Sequence, residues 1–222
     1  IRDRMNTFNK ILSRVTLVLG VTFMSAFQLY ADDWKEIMYA DPTIFVENGK
    51  YYLTGTRNQE PQGFAILEST DLEHWTVPDG TSLQLILRKG DQTYGEKGFW
   101  APQYFKDKRT YYFTYTANEQ TVIASSKSVF GPFRQKEVKP VDASAKNIDS
   151  FLFKDDDGKY YLYHVRFNKG NYLWVAEFDI KKGSIKPETL KQCMDCTEPW
   201  EKTPNYKSAP VMEGPTVMKW DG

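Results

Sequence analysis

Three acidic residues stand at the heads of near-identical strand phrases. They are Asp41 in Ala40-Asp41-Pro42-Thr43-Ile44-Phe45, Asp149 in Ile148-Asp149-Ser150-Phe151-Leu152-Phe153, and Glu213 in Met212-Glu213-Gly214-Pro215-Thr216-Val217. A strand phrase that recurs with an acid at its head implies a repeat fold that aims its acids at one place. Carboxylates gathered in that way suit acid/base cleavage of an acetal: one activates water while a protonated partner supplies a proton to the departing oxygen.

The elements that would position these acids also repeat. Phe45-Val46-Glu47-Asn48-Gly49-Lys50-Tyr51-Tyr52-Leu53 reads as strand, turn, strand, and the plan recurs at residues 104–113 and 153–162. A further copy begins at Thr216 and reaches its turn at Asp221-Gly222. Asn-Gly and Asp-Gly between apolar-aromatic runs are strong hairpin signals. Further strands are expected at Phe64–Ser69, Asp71–Trp75, Val122–Ser126, Gly131–Phe133 and Tyr172–Phe178, giving four-stranded antiparallel units. The tyrosine pairs 51–52, 111–112 and 160–161 mark a period of roughly 50–60 residues, which argues for propeller blades. The expected fold is therefore all-β. In such a blade the head of the innermost strand faces the axis. Asp41, Asp149 and Glu213 are placed there in blades one, three and four, with Ala101 or Pro102 in blade two; a slip of one residue would turn a side chain to the other face.

Composition agrees. The 222 residues are 41% hydrophobic and 15% aromatic, with 14 Tyr and 14 Phe. That bias favours strands and sugar-binding surfaces. Formal net charge is zero, and there is no basic patch to suggest nucleic acid.

The first 31 residues read as an export signal, with Met5 as start and residues 1–4 upstream of it. Lys10 and Arg14 form the positive region, and Val15 to Phe27 is a mostly apolar stretch too short to span a bilayer. The alternative is an uncleaved anchor. Cleavage after Ala31 would leave 25 basic and 28 acidic residues. The expected location is secreted or periplasmic, with no stable membrane insertion after cleavage and residues 32–222 as the catalytic domain. Cys193 and Cys196 are too few for a zinc site, with both histidines distant in sequence, and read as a small disulfide loop or two thiols.

Taken together, Ala40-Asp41-Pro42, Phe99-Trp100-Ala101-Pro102, Ile148-Asp149, Asp156-Asp157-Gly158-Lys159, Glu198-Pro199-Trp200-Glu201 and Glu213-Gly214-Pro215 resemble glycoside hydrolase family 43. These are five-bladed β-propellers that include arabinofuranosidases, xylosidases and arabinanases. The resemblance runs from about residue 38 to the last residue, so the chain is expected to cover blades one to three and the start of blade four. The related sucrose-splitting propellers carry Asn-Asp-Pro-Asn-Gly and Glu-Cys-Pro, unlike the phrases here.

The resemblance implies that Asp41 is the general base, Glu213 the general acid, and Asp149 the residue that orients the acid and raises its pKa. It implies an inverting mechanism on arabinose- or xylose-containing oligo- or polysaccharide such as arabinoxylan or arabinan, with α-L-arabinofuranoside hydrolysis the first choice. No cofactor is required, although a structural calcium can accompany a blade-five histidine in the complete propeller. Two of the acids have a plainer alternative, Asp41 as a strand-start cap before Pro42 and Asp149 as a loop acid, whereas a carboxylate before Gly214-Pro215 has few structural uses. Trp100 is either an aromatic wall for a sugar ring or blade-to-blade packing, and Phe99 and Trp200 are weaker candidates of the same kind. His74 and His164 read as structural. Asp155-Asp156-Asp157-Gly158 reads as a polar hairpin turn, not a calcium loop. The rival from another class is a non-catalytic carbohydrate-binding propeller or an inactive fragment.

Overall fold

Hairpin chemistry decides the strands. At Asn48-Gly49 both residues adopt positive φ, 51° and 74°, the backbone a two-residue turn needs between right-twisting strands. The turn joins β1 (Ala40–Glu47) to β2 (Lys50–Thr56), which pair antiparallel down to Glu47–Lys50. The structure, a computed structural model, describes residues 37–201 and 209–220.

Blade one continues through β3 (Gly63–Ala65), β4 (Leu67–Ser69) and β5 (Leu85–Arg88). Its third strand breaks at Ile66, so that β4 pairs with β2 while β3 pairs with β5. Blade two is β6 (Trp100–Asp107), β7 (Thr110–Ala117) and β8 (Gln120–Ser126). Blade three is β9 (Asn147–Lys154), β10 (Tyr160–Phe167), β11 (Asn171–Asp179) and β12 (Ser184–Ile185), with β13 (Lys191–Met194) also paired to β11. Residues 209–220 carry the head of the fourth blade. This is the expected all-β propeller, three blades and the start of another.

The outer strands depart from expectation. Asp71–Trp75 is a turn, organised by the Asp71 carboxylate, which accepts the backbone N–H groups of Glu73 at 2.9 Å and His74 at 2.8 Å. Blade one's outer strand is instead β5, a short apolar run. In blade two the fourth strand shrinks to one bridge between Ser125 and Arg134. Pro132 lies two residues earlier, and a residue without an N–H cannot extend a ladder.

Aromatic packing joins the blades. Between blades one and two, Phe113 lies 5.0 Å from Tyr104 and 5.1 Å from both Phe64 and Phe133, centre to centre. Phe64, Phe113 and Tyr115 are fully buried. Each such side chain contributes about 1.5–3 kcal/mol. A second cluster, around Leu152, Leu162 and Phe178, joins blades two and three.

A polar tie repeats at the far end of each innermost strand. Glu47 accepts from Lys106 and from the Tyr111 hydroxyl. Asp107 accepts from Lys154 at 2.7 Å and Tyr160 at 2.8 Å. Asp155 and Asp156 accept from Lys219 at 2.9 and 2.6 Å. The acidic turn thus holds a lysine of the following blade.

All these strands belong to the unit Tyr39–Gly222. The other unit, Ile1–Met38, contains the export-signal segment, which lies outside the described residues. Among the described residues no helix is long and apolar enough to cross a membrane. The Cys193 thiol sits on β13 and donates to the Leu173 carbonyl at 3.3 Å.

Candidate active site

Each innermost strand slips register with its partner at its head, between Ala40 and Thr43 in β1, between Trp100 and Gln103 in β6, and between Ile148 and Phe151 in β9. The residue inside each slip is left-handed: Asp41 at φ 47°, Ala101 at 45° and Asp149 at 49°. A bulge of this kind re-aims a side chain, and left-handed backbone at a non-glycine residue persists only where the surroundings hold it. The fourth head places Gly214, φ 64°, at the equivalent position. The lysines confirm the alignment, since Lys106, Lys154 and Lys219 each follow Ala101, Asp149 and Gly214 by the same number of residues.

This corrects the expected place of Glu213. It stands one position ahead of the Asp41 and Asp149 site, level with Ala40, Trp100 and Ile148. The shared Xaa-Pro step in Asp41-Pro42, Ala101-Pro102 and Gly214-Pro215 marks the true register. Blade two's occupant is Ala101. The four heads line one cavity of about 230 Å³ through the tripeptides 41–43, 101–103, 149–151 and 214–216. Asp41 and Asp149 line it; Glu213 lies beside it, exposed, with one carboxylate oxygen accepting from the Asn171 amide.

Two threonines hold the bulges. The Thr56 hydroxyl donates to the Asp41 carboxylate at 2.6 Å and accepts the Ala101 N–H at 2.9 Å. The Thr116 hydroxyl accepts the Asp149 N–H at 3.1 Å. In blade three the matching position, opposite Ile148, is Val165, which has no hydroxyl. There the Gly214 N–H lies near the Asp149 carboxylate and weakly favours its charged form. One signal could have revealed these threonines: Thr54-Gly55-Thr56 and Thr114-Tyr115-Thr116 end the second strands of blades one and two alike. Asn171, at a hairpin tip, carried no such signal.

Asp149 titrates well above the usual carboxylate range, at about 6. Burial is the main cause, followed by the negative charges of Glu213 and then Asp41, against the weaker pull of the Gly214 N–H. The expected like-charge repulsion is present. It acts on Asp149, the more buried of the pair, because desolvation adds to it there.

The aromatic candidates separate. Phe99 is 4% exposed and stacks on Tyr115 at 5.7 Å, so it is core and cannot meet a sugar. Trp100, 38% exposed, sits at the head of blade two beside Ala101, its indole over Gly98. Trp200 is 79% exposed on the turn Pro199–Glu201 and does not line the cavity. His164 is a buried strand histidine, its pKa pushed down to about 4 chiefly by burial. Among the described residues no group of three or more His, Cys, Asp or Glu side chains is close enough to hold a metal ion.

Comparison with known proteins bears on this arrangement. A sequence model described as glycosyl hydrolases family 43 matches residues 35–222. The chain belongs to glycosyl hydrolases family 43. Within this family it is 28% identical over 190 residues to the extracellular endo-alpha-(1->5)-L-arabinanase 1 of Bacillus subtilis (strain 168), covering 79% of this chain and 57% of that protein. It is 28% identical over 197 residues to a xylosidase/arabinosidase of Butyrivibrio fibrisolvens, covering 83% and 35%. The chain thus spans less than two thirds of these relatives. Among solved structures, an endo-1,4-beta-xylanase from Bacteroides thetaiotaomicron VPI-5482 superposes with a TM-score of 0.73 at 39% identity, covering 83% of this chain and 60% of that one. A thermostable family-43 glycoside hydrolase superposes with a TM-score of 0.70 at 28% identity, covering 83% and 61%.

Proposed function

We propose that the protein is a glycoside hydrolase that cleaves pentosyl linkages in plant cell-wall polysaccharide or its oligomers, with inversion. The observation that carries this is the pairing of Asp41 and Asp149 on identical left-handed bulges in one cavity, with Glu213 adjacent to Gly214 at its edge. Asp41, held by the Thr56 hydroxyl, is the base that draws a proton from water. Glu213, anchored by Asn171, is the acid that protonates the leaving oxygen. Asp149 lines the cavity beside Gly214, the residue next to the acid, and its carboxyl interacts electrostatically with Glu213. Water attacks the anomeric carbon from one face as the protonated leaving oxygen departs from the other, which requires base and acid roughly 6.5–9.5 Å apart.

The glycone is an α-L-arabinofuranosyl unit in the first instance and a β-D-xylosyl unit in the second. Relatives named for arabinan, arabinoside and xylan support that range. The charged, apolar and small-residue pattern of residues 5–31, and a relative named extracellular, support export. Proton NMR of the sugar released from aryl α-L-arabinofuranoside and aryl β-D-xyloside by the full protein tests the reading. Inversion at the anomeric carbon is expected with one or both. Retention, or no turnover of either, would exclude it.

A further inference from the structure

We propose that a second pocket, beside Glu213, is the subsite for the sugar on the leaving-group side, with Phe167 as its stacking platform. This rests on the acid role given to Glu213. The pocket holds about 390 Å³, within the range of small-ligand sites. Its floor is Ile148 and Val165, paired across β9 and β10. The Lys146–Glu119 ion pair, at 2.6 Å, forms a polar wall. Phe167 and Asn171 close the side nearest the acid.

Three observations point to a sugar ring there. Phe167 is a large aromatic left 59% exposed at the lip of a pocket, whereas no other described phenylalanine is exposed. A pyranose or furanose has one apolar face and a hydroxyl rim, which match a ring opposite polar groups. Asn171 faces both sites, since it lines the pocket while its amide donates to Glu213. Its main chain also grips the strand that carries the acid, donating to the Pro210 carbonyl at 2.8 Å and accepting the Met212 N–H at 2.9 Å. Pocket wall and acid are therefore one hydrogen-bonded piece. The group beyond the scissile oxygen must lie beside whichever residue protonates that oxygen. Asp41, the base, does not line this pocket.

The test compares Phe167→Ala with the parent protein on two substrates. One is a pentose trisaccharide, xylotriose or arabinotriose. The other is the matching glycosyl fluoride, whose leaving group is a single atom and needs no subsite. Phe167→Ala should lower kcat/KM for the trisaccharide about tenfold, mainly through KM, and change the fluoride by less than twofold; Phe167→Trp should restore most of the loss. Equal losses on both substrates, or no loss on the trisaccharide, overturn the subsite while leaving the hydrolase intact. A parent protein inactive on both overturns the hydrolase reading and the subsite with it.

Discussion

Replacing Asp149 by asparagine should make the protein more stable and much less active. Asp149 has a pKa near 3.8 when unfolded and about 6 when folded. Below pH 3.8 both states hold the proton, and the folded state's stronger grip on it contributes in full. That contribution is lost as pH rises to 6, and above it the fold carries a charge it disfavours. The shift of roughly two units, at 1.36 kcal/mol each, sets an upper bound of about 3 kcal/mol. Partial exposure of the carboxyl screens this to about 1–2 kcal/mol. Asparagine keeps an oxygen near the Gly214 N–H and removes the charge. Thermal unfolding of Asp149→Asn against the parent, across pH 3.5–8, should show a gain of roughly 2–4 °C per kcal/mol at pH 7 and none at pH 3.5. A loss of stability at pH 7, or a difference independent of pH, would show that the buried charge of Asp149 does not destabilise the fold. Turnover should fall at all pH values, the trade of activity against stability expected where charges are crowded for function.

Glu213→Gln should slow substrates with poor leaving groups by about 10²–10⁴-fold and activated aryl glycosides far less, because only the former need a proton; equal losses in steady-state kinetics would remove the acid role. Thr56→Val should cost about 1–3 kcal/mol in urea unfolding, since the Ala101 N–H loses its acceptor, and should lower kcat through Asp41. An unchanged midpoint would show that the hydroxyl holds neither blade. Gly170→Ala should reduce kcat without abolishing folding: a Cβ there would lie 2.9 Å from the Pro210 carbonyl and push aside the strand that leads to Glu213. Full activity with an unchanged circular dichroism spectrum would refute that coupling.

Much of this was legible in the residues. Period-2 aromatic runs around Asn48-Gly49 and Asp157-Gly158 specify hairpins on their own, because few other turns fit them. The shared strand-head place of Asp41 and Asp149 followed from the repeat; the left-handed bulge at each did not. Glu213 was placed one residue late because the acids were aligned with each other, whereas the backbone aligns the step before proline. Asp71–Trp75 looked like a strand for its Leu72 and Trp75, but the Asp71 carboxylate competes for the backbone there and makes a turn. Phe99 could not be told from Trp100 by type. Adjacent residues of a strand face opposite ways, and only the fold says which way is inward. The Asn171 contact joins residues 42 positions apart across a hairpin tip, which no local pattern encodes.

The lysine-to-acid ties between blades have a direction. Blades one, two and three each offer an acid forward, and blades two, three and four answer with Lys106, Lys154 and Lys219. Blade one has Val46 where the others have lysine. Blades two and three can therefore both give and receive, while blade one can only be received from. The contact is of the head-to-tail kind, not a symmetric handshake. It writes an address on each unit: a copy of blade one grafted after blade two would set Val46 against the Asp107 carboxylate. Blades that look interchangeable in outline are thus kept in sequence by charge, and a shuffled order would be penalised locally at the first wrong joint.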